Sequence, residues 1–138
     1  MGVTMESKNC SIDFGYGGFY RLRTKVAELA DGELGGHYRE LNNVPLYGRE
    51  EFFERYDNDT LVIVEKNNIP HGIVRFIYST DCGSEISVDD CKQIYEVVKD
   101  YNDDIRYGYA GRSDCAMFKD FKELVKDCID NECVMKWF

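Results

Sequence analysis

Two glycine-containing segments carry residue types that bind anions. The first, Gly15-Tyr16-Gly17-Gly18, precedes a predicted helix that contains Arg21 and Arg23. Backbone N–H groups at a helix start attract phosphate, and guanidinium groups add charge-assisted hydrogen bonds. The second segment, 107–112, repeats the aromatic, glycine and arginine pattern. If the two segments converge, they form a small-molecule site that sequesters a nucleotide signal through Tyr16, Gly17, Gly18, Arg21, Arg23 and Arg112.

The alternative interpretation of the first segment is a flexible loop with a solvated basic turn. No Gly-Lys-Ser or Gly-Lys-Thr follows it, and no strand-helix-strand unit surrounds it. The sequence therefore supports neither a P-loop nor a dinucleotide-binding fold.

The segment 79–90 has the spacing of the second half of an EF-hand loop. Such a loop places oxygen ligands at alternate positions, a glycine at the sixth and a bidentate acid at the twelfth. With Ser79 as the first position, Asp81 is the third and Asp90 the twelfth. Few carboxylates remain, so we predict at most a weak calcium site at Asp81 and Asp90. The alternative is a helix-loop-helix without a metal.

The acidic residues are concentrated in one part of the chain. The formal net charge is -9, and residues 81–104 hold eight acids against two lysines. A solvated helix face is the plainest interpretation. The functional one is a surface that steers a basic partner towards it and blocks a nucleic-acid-binding groove. We predict that this surface consists of Glu85, Asp89, Asp90, Glu96, Asp100, Tyr101, Asp103, Asp104, Tyr107 and Tyr109.

Candidates for catalysis are few. His37 and His71 are the two histidines of the chain, and no Gly-x-Ser-x-Gly, His-Glu-x-x-His or Cys-His signature occurs. Six cysteines are present without a Cys-x-x-Cys pair, which favours reduced thiols, with Cys91 and Cys128 as small core residues. We therefore expect no enzyme activity and no cofactor.

Several segments together resemble a set of small uncharacterised bacterial and prophage proteins. The family segment reads roughly Ser-Asp-Cys-Asp-Gly-Glu-Ile-Ser ahead of a helix that opens with cysteine, and this chain departs from it at Gly83-Ser84. The resemblance implies a small intracellular domain and no known reaction. It rests on Gly15-Tyr16-Gly17-Gly18-Phe19 with Arg21 and Arg23, on Pro45-Leu46-Tyr47-Gly48, and on 79–87 followed by Cys91.

Size and charge limit the classes of function. With 138 residues, 43% hydrophobic and 31% charged, the chain fits a single domain over residues 1–138. The acidic balance opposes direct nucleic-acid binding, and no apolar run approaches the roughly 18 residues of a membrane span. We expect a cytoplasmic, non-enzymatic inhibitor of a basic protein such as a nuclease. Anti-CRISPR, anti-defence and toxin-immunity proteins of phages and mobile elements are of this type.

The periodicity predicts an α-rich α+β fold with about four helices and a few short strands. After an extended lead-in at 10–16, a helix starts at Phe19, and Gly32, Gly35 and Gly36 interrupt its continuation. A short helix over 49–56 ends at Asp57-Asn58-Asp59. The stretch 61–80 is compatible with a β-hairpin, or with a helix from Ile73 to Thr80.

The C-terminal half has clearer signals. Ser87, followed by Asp90 three residues later, predicts a capped helix running to about Tyr101. A last helix follows, capped by Ser113 or Asp114. The apolar segment 133–138 is predicted to be extended and to dock on the body of the protein.

Overall fold

The computed structural model describes residues 2–80, 83–101, 107 and 116–138. Within these ranges the chain forms an α+β fold, as predicted, but with six α-helices instead of about four. The elements, in chain order, are β1 (Gly2–Glu6), β2 (Ser11–Gly15), α1 (Tyr16–Ala30), α2 (Gly32–Arg39), a 3-10 helix (Glu40–Asn43), α3 (Arg49–Lys66), α4 (His71–Tyr78), β3 (Ser84–Ile86), α5 (Val88–Val98), α6 (Phe118–Asp130) and β4 (Met135–Trp137).

The four strands form one antiparallel sheet in the order β2-β1-β4-β3. Strand β4 lies between β1 and β3, with Trp137 opposite both Met5 and Ser84. The prediction of an extended, docked C-terminus is therefore confirmed. Strand β1 was not predicted, although its alternation of buried Val3 and Met5 with half-buried neighbours has the period of a strand.

The core lies between the sheet and the helices and is rich in aromatic rings. Phe19, Phe76 and Trp137 pack with ring centroids 5.7–6.3 Å apart. Cys91 of α5 and Cys128 of α6 are fully buried, which confirms their prediction as core residues. In the described part of the chain, no helix has both the length and the apolar character needed to cross a membrane.

The glycines predicted to interrupt the first helix lie inside helices. Helix α1 begins at Tyr16, so Gly17 and Gly18 form part of its first turn. Helix α2 contains Gly35, and the side chain of Asp31 caps it by accepting a hydrogen bond from the Leu34 N–H at 3.0 Å. The first helix does end before Gly32, as predicted, because α1 stops at Ala30. The expectation that the glycine segments themselves are not helical was wrong, because packing and capping outweigh glycine's low helix propensity.

Helix α3 is longer than predicted. The acidic triplet at 57–59 does not end it, and α3 continues to Lys66 before a turn in which Asn68 has a φ of 52°. The stretch 61–64 is therefore helical, the β-hairpin was wrong, and α4 bears out the helical alternative. Tertiary packing decided this, because Ile63 is buried against the rest of the molecule.

Side-chain hydrogen bonds stabilise the starts of the last two helices. The Ser87 hydroxyl accepts a hydrogen bond from the Asp90 N–H at 3.2 Å, which confirms the predicted cap of α5. Helix α5 ends at Val98, earlier than expected. At α6 the Asp120 carboxylate accepts a hydrogen bond from the Met117 N–H at 2.8 Å. Because α6 begins at Phe118 with Met117 as its N-cap, the prediction that Ser113 or Asp114 caps this helix was wrong; these two residues lie outside the described residues.

Candidate functional site

Two members of the predicted acidic surface are buried. Asp90 is 5% exposed and forms an ion pair with Arg75, with an N–O distance of 2.8 Å. It faces α4, where a Cβ on Gly72 would lie 2.8 Å from the Asp90 Cα, so the two helices approach closely. Tyr107 is 2% exposed and belongs to the core. The expectation that these two side chains are available to a partner was therefore wrong, because close helix packing covers them.

The remaining acids at the described positions 83–101 do not form a continuous acidic face. On the solvent side of α5, Asp89, Lys92, Glu96 and Lys99 alternate in sign, and Glu96 pairs with Lys99 at 2.9 Å. Glu85 lies opposite Lys136 in the sheet. The other predicted members are the exposed Asp100, the half-buried Tyr101, and Asp103, Asp104 and Tyr109, which lie outside the described residues.

The residues predicted to bind an anion are not gathered at one place either. Arg23 is 6% exposed, its guanidinium carbon lies 4.4 Å from the Phe19 ring centroid, and it donates a hydrogen bond to the Ser79 carbonyl at 2.5 Å. Arg23 therefore holds the end of α4 against α1, facing away from solvent. Tyr16 is 42% exposed and Gly17 is exposed at the start of α1, whereas Arg112 lies outside the described residues.

Two residues from the two glycine-containing segments nevertheless lie close together. The guanidinium carbon of Arg21 lies 5.6 Å from the centroid of the Tyr107 ring, so residues from the two predicted segments do meet. Gly18 makes this possible, because a Cβ at this position would overlap the Tyr107 carbonyl oxygen. The contact forms one wall of a cleft on the α1 side of the molecule.

The predicted metal and histidine positions offer little chemistry. Asp81 lies outside the described residues, and Asp90 is engaged by Arg75. Within the described ranges, no three His, Cys, Asp or Glu side chains are grouped as metal ligands. His37 is buried, stacks on Tyr56 with ring centroids 3.9 Å apart, and has its Nε2 2.7 Å from the Thr60 hydroxyl. His71 is exposed at the start of α4.

Helix α3 leaves most of its length unburied. Of its 18 residues only Tyr56 and Ile63 are buried. On the opposite side, spacings of three and four residues align exposed side chains in one row. We call this row the α3 ridge, and it consists of Glu50, Glu54, Asp57, Leu61 and Glu65.

Exposed apolar side chains accompany the α3 ridge. Leu61 is 69% exposed, and its neighbour Val62 is 60% exposed. Immediately before the helix, Leu46 and Tyr47 are 85% and 90% exposed. Single exposed apolar residues are ordinary, but four along one element and its entry loop make this helix a candidate interaction surface. The sequence contained this signal as the 50-54-57-61-65 spacing, which the predicted helix end at residue 56 concealed.

Helix α3 is anchored by aromatic and polar contacts from one side. The hydroxyls of Tyr56 and Tyr78 lie 2.8 Å apart, and burial together with this hydrogen bond raises the pKa of Tyr56. At the other end, Glu33 accepts hydrogen bonds from Lys66 and from Asn67 at 2.8 Å. These bonds hold the pKa of Glu33 below its usual value of 4.5. The helix is thus held at its middle and C-terminal end, while its outer side stays open.

Comparisons of the chain with protein-family models, curated proteins and solved structures gave no match.

Proposed function

We propose that the protein is a non-catalytic interaction protein that binds a basic protein partner, principally through the α3 ridge with Leu46 and Tyr47. The observation that carries this proposal is the exposure of an 18-residue helix that buries two side chains and presents acids and leucine in one row. A helix usually contributes more of its length to a core, so its open side is available for a partner.

The charge of α3 supports a basic partner. The helix has six acidic and three basic residues, and the whole chain carries -9. A field of this sign steers a basic protein towards the surface and repels nucleic acid. The exposed Leu61 and Tyr47 supply apolar area, which contributes most of the affinity once the partner has docked.

A basic partner of this kind includes proteins that bind nucleic acid. Along the α3 ridge, the four-residue step from Glu50 to Glu54 corresponds to a rise of about 6 Å. A row of carboxylates at that spacing fits a groove that normally holds phosphates. The proposal is therefore an inhibitor that blocks a nucleic-acid-binding or active-site groove, as anti-CRISPR, anti-defence and toxin-immunity proteins do. The described cysteines are free thiols, which supports a cytoplasmic location.

Matched charge reversals on two helices test this function. One variant carries Glu50→Lys and Glu54→Lys on α3, and the control carries Glu96→Lys and Asp100→Lys beside α5, so that both change the net charge equally. A basic protein captured from a host lysate at low salt is identified, purified and titrated against each variant. We expect the α3 variant to weaken binding at least about tenfold and the control to weaken it less than about threefold.

Two results would contradict the proposal. Equal weakening by both variants would mean that only net charge attracts the protein, without a defined surface. If Leu61→Ser and Tyr47→Ser leave binding unaffected at moderate salt, the apolar side chains do not contribute to the interface. Competition by a short nucleic acid for the purified partner then shows whether the blocked surface is a nucleic-acid groove.

A further inference from the structure

Three cysteine thiols meet at the C-terminal end of helix α6. Cys128 lies on α6 and Cys91 on α5, and both are fully buried. Cys133 lies just before β4 and keeps part of its surface in contact with solvent. The Cys128 thiol is within hydrogen-bonding reach of the other two, and all three are free thiols. The function proposed above does not use these sulfur atoms.

A defined turn brings Cys128 and Cys133 together. Helix α6 ends in a Schellman motif, in which the Cys133 N–H donates to the Cys128 carbonyl at 3.0 Å and the Glu132 N–H donates to the Ile129 carbonyl at 3.3 Å. Glu132 has the positive φ, 51°, that the motif uses. The side chains of the first and last residues of this motif commonly touch. The Cys128 Sγ also lies 3.6 Å from the carbonyl oxygen of Val134, the neighbour of Cys133.

We propose that Cys128 and Cys133 form a reversible disulfide when the protein meets a low-molecular-weight disulfide such as oxidised glutathione. The Cys133 sulfur, after losing its proton to solvent, attacks one sulfur of oxidised glutathione. A mixed disulfide forms and one glutathione thiolate leaves. The Cys128 sulfur, deprotonated in turn, attacks the Cys133 sulfur and displaces the second glutathione thiolate. Two protein thiols are thus oxidised, and one glutathione disulfide is reduced to two thiols.

The order of the two cysteines follows from their exposure. Cys133 is partly exposed, so the oxidant reaches its sulfur from solvent. Cys91 is the other thiol beside Cys128, but both of these are fully buried. A disulfide between them therefore requires α5 and α6 to separate before the oxidant can enter. Cys133 is the attacking residue for this reason, and Cys128 is the residue that completes the disulfide.

The surroundings of Cys133 make the reaction slow. Burial raises the pKa of its thiol, the Cys128 thiol and the Asp127 carboxylate act in the same direction, and the Lys8 N–H acts against them. Because the thiolate is the attacking form, a small fraction of the protein is reactive at neutral pH. The pair therefore responds to sustained oxidation, which is the usual role of a disulfide that forms in a reducing compartment.

Peptide mapping after incubation with millimolar oxidised glutathione at about pH 8.5 tests the proposal. Once free thiols are blocked, cleavage after Lys126 and Lys136 gives the peptide 127–136, which holds both cysteines, whereas Cys91 lies in the peptide 76–92. We expect the peptide 127–136 to be about 2 Da lighter than its reduced form, and dithiothreitol to reverse this. A cross-link between the two peptides, or two blocked thiols in 127–136, would overturn the proposal.

Three variants separate the roles of the cysteines. Cys128→Ala should retain glutathione on Cys133, because the thiol that displaces it is absent. Cys133→Ser should slow the oxidation of Cys128 at least about tenfold, because the accessible thiol is lost. Cys10→Ser, at another partly exposed cysteine, is the matched control and should leave the disulfide unchanged. Unchanged oxidation of Cys128 in Cys133→Ser, or loss of the disulfide in Cys10→Ser, would contradict the assignment.

The melting temperature gives a second readout that does not depend on a variant in the core. The disulfide joins the end of α6 to the residues before β4, the strand that lies between β1 and β3. Since the turn already holds the two side chains together, we expect the bond to form without strain and to raise the melting temperature by about 5 °C. A lower melting temperature of the oxidised protein would show that the turn has to distort, against the proposal.

Discussion

Helices α3 and α5 are both rich in acidic residues, yet they present them differently. Helix α5 buries Cys91, Ile94 and Val98 completely, and its outer side alternates in sign. Helix α3 buries two side chains in eighteen residues and carries an acidic row with Leu61 in it. The difference shows that a count of charges along the chain does not locate a binding surface. The direction in which each side chain points has to be known as well.

The same comparison explains why the acids at the described positions 83–101 form no continuous acidic surface. Asp90 donates its backbone N–H to the Ser87 cap of α5, and its carboxylate pairs with Arg75, so it is used inside the protein. Glu96 is paired with Lys99. The acids of α3 at 50, 54 and 57 have an open side instead, because the helix is anchored through Tyr56 on its other side.

The largest expected effect is on the free energy of unfolding. Ile94→Ala on α5 should lower it by about 4 kcal/mol, because this side chain is fully buried among helices and leaves a cavity. Ile63→Ala on α3 should cost about 2 kcal/mol, because this site is 8% exposed and can relax. Urea unfolding monitored by circular dichroism measures both. Equal losses would show that α3 is as deeply integrated in the core as α5.

The capping of α5 provides a smaller effect. Ser87→Ala should lower the free energy of unfolding by about 1 kcal/mol, since the hydroxyl that accepts the Asp90 N–H is lost. Ser11→Ala in the exposed part of β2 is the control and should change stability by less than about 0.5 kcal/mol. Thermal unfolding of both variants is the measurement. A loss of similar size in both would mean that the Ser87 cap contributes nothing specific.

The C-terminal end of α3 should respond to acid. The pKa of Glu33 is lowered by its hydrogen bonds with Lys66 and Asn67, so its contribution to stability is present above pH 4.5. That contribution is lost as the pH falls through the lowered pKa and the carboxylate is protonated. We expect the amide signals of Lys66 and Asn67 to shift on acidification to about pH 3, as followed by NMR. In Glu33→Gln these shifts should be absent, and their persistence would assign them to another group.

The smallest expected effect is at the α3 ridge itself. Leu61→Ser should change the free energy of unfolding by less than about 0.5 kcal/mol, because this side chain is 69% exposed. Thermal unfolding measures the change, and Leu124→Ser, at a fully buried position of α6, is the contrasting control. A loss above about 1 kcal/mol for Leu61→Ser would mean that the ridge packs within the protein and is not free for a partner.

Local signals predicted some parts of the fold well. Patterns of neighbouring residues predicted the Ser87 cap and the extended C-terminus. The residue type itself predicted that Cys91 and Cys128 are buried. Helix ends that depend on distant contacts were predicted poorly. The polar triplet 57–59 lies on the exposed side of α3, where polar residues do not end a helix that is anchored elsewhere.

Candidate sites were harder to predict than elements. Of the two arginines after the first glycine segment, Arg21 reaches a cleft and Arg23 enters the core. The two positions are nearly adjacent in sequence, and the rotation of the helix by about 200° over two residues separates them. The cleft also needs Arg39 and Tyr107, which lie far from Arg21 along the chain.

The sequence by itself determined the α+β class, the strong negative charge, the cap of α5 and the lack of a recognised catalytic motif. These properties follow from composition and from neighbours within a few residues of each other. The tertiary structure decided that α3, not α5, carries the open acidic side, and that Gly18 and Gly35 are sites of close packing. The physical reason is that burial depends on which distant segment covers a side chain, and residue order alone does not specify that segment.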